Sequence, residues 1–295
     1  MDAGPSSTAA VADQVVAVDD IEIHTGDRPV ALWGELLAEG FGTFLILVFG
    51  CGVVAQVVGG GSGLGDHNSI AWAWGFAVML GVFVAGRLSG AHLNPAVTLS
   101  LALFGGFRWR KVVPYCVAQT VGAFVAALAV RADYATVLAK VDPGHTHKTS
   151  IVFATMPGNG SLPVHLWAAF GDQVLGTALL LFCIAAITDM HNDGPPAWAT
   201  PVVVGFLVVV IGMAFGTDAG YAINPARDFG PRLAAFLTGY SSAWRDQYGQ
   251  LYFWVPIVAP LIGGPIGFAF YRFGVGRHLM RSAAPQEPGR LPVEA

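Results

Sequence analysis

The chemistry available to this chain is concentrated in two asparagines, Asn94 and Asn224. Each opens the same triplet, at Asn94-Pro95-Ala96 and at Asn224-Pro225-Ala226, 130 residues apart. An asparagine amide donates and accepts hydrogen bonds without titrating. Asparagine also caps helix starts, and proline suits the first helical position because its missing N–H would have no partner there. Each triplet therefore predicts a helix beginning. In a chain this apolar, two helices that start at membrane depth aim the positive ends of their dipoles inward. The hypothesis this raises is a pore.

Other chemistries lack their residues. Glu39 and Asp228, the acids inside apolar sequence, lie far apart in the chain, and the histidines are scattered. His145 and His147 have no third ligand nearby, so they are expected to be solvated loop residues rather than a metal site. Cys51, Cys116 and Cys183 sit among Val, Ala and Leu and are expected as buried packing residues; an odd count without CxxC spacing argues against a disulfide framework. Neither an enzyme, a metal nor a cofactor is expected.

The elements that must position the two asparagines follow from hydropathy. Of 295 residues 54% are hydrophobic and only 12% charged, against about 25% charged in soluble domains, and the mean hydropathy is +0.59. Six segments are apolar over the ~20 residues that cross a bilayer. They lie near 31–58, 69–88, 111–134, 166–188, 198–217 and 251–274. Residues 1–30 hold six acids against Arg28 alone and are expected as a disordered acidic tail without the apolar run of a signal peptide. That tail outweighs the chain's net −4, so no nucleic-acid partner is implied. The expected organisation is this tail, a channel domain over 31–278, with one repeat at 31–134 and a second at 166–274, and a tail at 279–295. Arg87, Arg108, Arg110 and Lys111, with Arg272, Arg277 and Arg281, mark the cytoplasmic side and place both termini there.

The two halves are copies. Glu39-Gly40-Phe41-Gly42-Thr43 is echoed at Gln173-Val174-Leu175-Gly176-Thr177, and Gly75-Phe76 at Gly205-Phe206 with the same offset as the triplets. Each copy has three crossings, an odd number, so the second enters from the opposite side. The apolar stretches Val97 to Phe104 and Phe229 to Leu237 are too short to span. They predict half-helices that meet near the middle. The segments before them, Gly90-Ala91-His92-Leu93 and Gly220-Tyr221-Ala222-Ile223, are expected as irregular backbone with carbonyls lining a wet cavity.

The strings Ser89-Gly90-Ala91-His92-Leu93-Asn94-Pro95-Ala96-Val97-Thr98 and Asn224-Pro225-Ala226-Arg227-Asp228-Phe229-Gly230-Pro231 resemble the two signatures of the aquaporin family, and in particular its glycerol-conducting aquaglyceroporin branch, over about Leu36 to His278. The resemblance implies an all-α membrane protein, a right-handed bundle of six transmembrane helices plus two re-entrant half-helices, assembled as a homotetramer. It implies passive conduction of glycerol and water, with Asn94 and Asn224 at the centre. By position Trp74, Gly212, Tyr221 and Arg227 match the family's selectivity filter. Gly212 stands where water-selective relatives carry a histidine, which widens the filter. Trp74 and Tyr221 offer an apolar corner, and Arg227 fixed donors for hydroxyls. Tyr221 departs from the phenylalanine of the bacterial glycerol facilitator, and Pro256-Ile257 replaces an aromatic pair of water-selective members.

Supporting roles are expected for four more residues. Asp228 and Arg232, four apart on one helix, can pair, with Asp228 holding its loop. Glu39 is expected to accept backbone hydrogen bonds from the loop before a half-helix, and Gln173 to do the same uncharged. His92 is expected to line the pore, and its titration near neutral pH is a candidate for gating. Asn159-Gly160-Ser161 fits a glycosylation acceptor in an external loop. Two rivals remain: a carrier for small polyols, proton-coupled or uniport, and a low-flux membrane scaffold. The plasma membrane, or the inner membrane of a bacterium, is the expected location.

Overall fold

The computed structural model describes residues 30–61 and 63–282, so the acidic tail, apart from Val30, and the segment after Ser282 lie outside the described residues. The long apolar segments are helices: α1 (Leu32–Gly60), α2 (His67–Ser89), α4 (Val112–Asp133), α7 (Leu166–Thr188), α8 (Thr200–Ala219) and α10 (Val255–Tyr271). Six helices are long and apolar enough to cross a membrane. Two shorter ones follow the asparagines, α3 (Pro95–Phe104) and α9 (Pro225–Leu237). Small helices α5 (Ala135–Val141) and α6 (His147–Ser150) lie in the loop after α4, and α11 (Arg277–Ser282) follows a π-turn after α10.

Boundaries differ from expectation where local structure intervenes. α10 starts at Val255 rather than 251, because Leu251 forms a bridge with Arg245. Helix continues through α11 to Ser282, past the 278 boundary.

Contacts follow the duplication. α1 packs on α2 and α4, as α7 packs on α8 and α10, and α2 meets α8 between the halves. Gly75 and Gly205, the pair sharing the repeat offset, face each other there: a Cβ on Gly75 would stand 2.6 Å from the Gly205 carbonyl oxygen, and one on Gly205 2.8 Å from that of Gly75. Only glycine lets these backbones approach so closely. Each short helix docks on the opposite repeat, α3 on α10 and α9 on α4. Neither repeat is therefore a closed unit by itself.

The structure adds detail to the isolated cysteines and histidines. Cys51 is buried, but Cys116 and Cys183 are only partly so, because they lie toward the outer flank of their helices. His145 is only half-buried, but it is not isolated: its Nε2 lies 2.8 Å from an Arg131 nitrogen and its ring packs on Tyr240. His147 Nε2 reaches the Arg245 carbonyl at 3.3 Å.

Candidate pore and its constriction

Asn94 and Asn224 are helix N-caps in extended backbone, each followed by Pro at the first helical position. The Oδ1 of Asn94 accepts from Ala96 N at 2.8 Å, and that of Asn224 from Ala226 N at 3.0 Å and Arg227 N at 3.2 Å. The amide nitrogens cross over. Asn94 Nδ2 donates to the Ile223 carbonyl and Asn224 Nδ2 to the Leu93 carbonyl, both at 2.8 Å. An amide NH2 has two hydrogens, so one on each asparagine stays available. The N-termini of α3 and α9 are thus tied together, with their dipoles' positive ends beside two free donors.

The segments before the asparagines share an unusual backbone. Gly90, Ala91 and Leu93 have φ of 83°, 49° and 52°, and Gly220, Tyr221 and Ile223 have 64°, 36° and 44°. For non-glycine residues this left-handed region costs about 1–2 kcal/mol each. Side chains buried behind each loop hold it there. Glu39, fully buried, accepts from His92 N at 2.9 Å and Leu93 N at 2.7 Å, while Ser89 Oγ and Gln119 Nε2 also donate to it, at 2.6 and 2.8 Å. Gln173 uses both amide ends, accepting from Ile223 N at 2.9 Å and donating to the Ala219 carbonyl at 2.8 Å. One repeat uses an acceptor alone, the other an acceptor and a donor.

A cavity of about 370 Å³ runs past these loops, lined by Trp74, Gly90 to Asn94, Tyr221 to Asn224, Arg227 and aliphatic side chains including Val78, Leu180 and Val204. Leu93 and Ile223 line the cavity while each carbonyl accepts from an asparagine, which leaves it a second lone pair; a Cβ on Gly220 would meet Thr155 and Asn159. His92 does line the cavity; its Nδ1 lies 3.1 Å from Thr98 Oγ1 and its ring packs on Phe107 and Tyr115.

Trp74, Gly212, Tyr221 and Arg227 come together. The Arg227 guanidinium carbon sits 4.2 Å from the centre of the Trp74 ring, an attraction between cation and π-face. Arg227 is 7% exposed, and one of its terminal nitrogens and the Tyr221 hydroxyl are buried without a protein partner. Gly212 packs against Tyr221: a Cβ there would lie 3.0 Å from Tyr221 Cζ and 3.2 Å from Ala71 Cβ.

Asp228 and Arg232 are fully buried and paired at 2.7 Å. Asp228 does not hold its own loop but the one before α7, accepting from Thr155 N at 2.8 Å and Thr155 Oγ1 at 2.7 Å. Arg232 completes the clasp on the Thr155 and Ala243 carbonyls. The Asn159 side chain donates to the Gly216 carbonyl at 3.2 Å. Ser89, Thr98, Gln119 and Thr155 were not anticipated; a lone glutamine within the apolar α4 was the available signal for Gln119. Among the described residues no group of three or more His, Cys, Asp or Glu could hold a metal.

Six apolar helices, two head-to-head half-length helices and a cavity at their junction define a membrane channel of the helical class. Residues 27–271 match the major intrinsic protein family. The chain belongs to that family, and so to the channels rather than the enzymes. It is 40% identical over 83% of its length to Aquaporin-10 of Milnesium tardigradum, of which it spans 63%. It is 38% identical over 87% of its length to the glycerol uptake facilitator protein of Pseudomonas aeruginosa, of which it spans 94%. It also resembles the solved aquaglyceroporin from Plasmodium falciparum, with a TM-score of 0.76 and 30% identity over 85% of this chain and all of that one.

Proposed function

We propose that the protein is a passive channel for glycerol, conducting water as well and excluding ions and protons. The observation that carries this reading is the meeting of Arg227, Trp74 and Tyr221 in the wall of one cavity, a fixed cationic donor beside two aromatic rings in an otherwise largely aliphatic lining. A polyol presents hydroxyls along one side and CH groups along the other. Its hydroxyls accept from Arg227 while its carbons pass the aromatic and aliphatic wall, so the loss of hydration is offset without a tight site. At the centre the remaining amide hydrogens of Asn94 and Asn224 each donate to a passing oxygen. Two positive helix ends at that point disfavour a cation, protonated water included. Among the residues that line the cavity there is no Asp or Glu, the groups a proton-coupled carrier would use at its midplane.

In this reading Trp74, Gly212, Tyr221 and Arg227 are the filter and the triplets the central constriction. Glu39, Gln173, Asp228 and Arg232 are supports, and the protein works as a homotetramer in the plasma membrane with both termini cytoplasmic. The kinship to a glycerol uptake facilitator and to an aquaglyceroporin supports the solute class. Stopped-flow light scattering on proteoliposomes is the test. Glycerol re-swelling well above protein-free vesicles, linear in gradient and indifferent to a proton gradient, is the expected result. Saturating, proton-driven uptake would identify a carrier instead, and no flux above background a scaffold.

A further inference from the structure

The end of α8 is held by side chains from three other elements. His67, the first residue of α2, places Nε2 2.9 Å from the Gly212 carbonyl oxygen. Asn159 reaches the Gly216 carbonyl and Gln173 that of Ala219. A carbonyl only accepts, so His67 Nε2 carries a hydrogen in either charge state of the ring. Nearby, Phe215 leaves helical geometry, with φ −122° and ψ 17°. The imidazole packs so closely on Gly216 that a Cβ there would run into it.

His67 also meets Tyr221 edge to face, with ring centroids 6.3 Å apart and planes at 89°. Tyr221 is therefore bounded by the Gly212 backbone and by the His67 ring. Its hydroxyl has no protein partner, so no hydrogen bond anchors the far end of the ring and its place rests on packing, these two contacts included. His67 is itself fixed, because Asp66 and Ser69 exchange reciprocal capping bonds of 2.9 and 3.2 Å at the start of α2.

We propose that His67 is a positioning residue of the constriction: by donating to the Gly212 carbonyl and backing the Tyr221 ring, it sets the largest polyol that passes. The role rests on the glycerol-channel reading above. Without the imidazole, Tyr221 gains room to swing away from the cavity, and the constriction discriminates less by size.

The test is the flux ratio of a five-carbon alditol to glycerol in proteoliposomes, with water flux as the measure of an intact pore. His67→Ala is expected to raise the ratio about five-fold, the factor that corresponds to the ~1 kcal/mol of one hydrogen bond, with water flux retained. His67→Gln, whose amide can donate to the same carbonyl, is expected to bring the ratio back toward wild type. Should His67→Ala fail to insert, His67→Val lacks both the donor and the ring that backs Tyr221, and a raised ratio is again expected. An unchanged ratio in a water-conducting variant lacking the donor overturns the positioning role while leaving the channel intact, as does a glutamine variant that behaves like alanine. A wild type that passes water but no glycerol overturns the polyol reading and the proposal with it.

Discussion

The ring of Tyr221 lies against the backbone of Gly212, so close that a methyl group added to Gly212 would stand 3.0 Å from Tyr221 Cζ. The space that a side chain at position 212 would take is therefore already occupied in part by the aromatic ring. Width at this point is a property of the pair. Gly212→His is expected to abolish glycerol flux while sparing water, since the new ring must either fill the cavity or displace Tyr221. Gly212→Ala is expected to lower glycerol flux modestly, by pressing on Tyr221 and Ala71. Stopped-flow scattering with glycerol and with an impermeant osmolyte measures both, and full glycerol flux in the histidine variant refutes the pairing.

The crossed bonds of Asn94 and Asn224 make the two asparagines interdependent. Asn94→Ala removes a helix cap, at about 0.5–2 kcal/mol, and leaves the buried Ile223 carbonyl unpaired, at about 1–3 kcal/mol. Thermal unfolding in detergent should show the loss. A double-mutant cycle with Asn224→Ala is expected to give less than the sum of the single effects, because each change loosens the same junction. Strict additivity would mean that the two loops are held separately.

Glu39 and Gln173 occupy matching places but are not interchangeable. Glu39 faces four donors, so Glu39→Gln turns an NH2 group toward other hydrogens. Gln173→Glu sets a carboxylate oxygen against the Ala219 carbonyl. Each swap is expected to destabilise by about 1–3 kcal/mol and to lower flux of every solute together, since the loops carrying the asparagines lose their support. Equal stability of the swapped and native proteins in detergent melts contradicts this.

The buried Asp228–Arg232 pair clasps the loop before α7 from within the bundle. Asp228→Asn or Arg232→Met alone leaves one charge uncompensated and is expected to cost about 3–5 kcal/mol. Changing both together is expected to cost less than either alone. Expression yield and melting temperature report the order, and a double variant worse than both singles rules it out.

Outside the spans, Asp189 is held below the ordinary carboxylate range by the backbone N–H of His191, with the Tyr271 hydroxyl also donating and burial opposing. A depressed value means that this contribution to stability is present above the unfolded pKa and lost as pH falls through the folded one. Acid unfolding of Asp189→Asn is therefore expected to show a shallower decline below about pH 4; an unaltered slope counts against it.

What the sequence determined by itself was local or periodic. Hydropathy marks the six long helices, because a span must bury its backbone in its own hydrogen bonds. Asn followed by Pro marks the starts of α3 and α9, because a cap acts within three residues. Odd repeats place the half-helices on opposite sides, and the signature strings name the family. Only the tertiary structure decided the rest. Nothing in Ala91, Leu93, Tyr221 or Ile223 as residue types announces left-handed backbone; Glu39 and Gln173, some fifty residues away, impose it. The crossed asparagine bonds join positions about 130 apart, and Gly212 becomes meaningful only once Tyr221 and His67 lie against it. Such contacts depend on how the two repeats dock, and side-chain identity at one position does not encode the neighbour that docking brings.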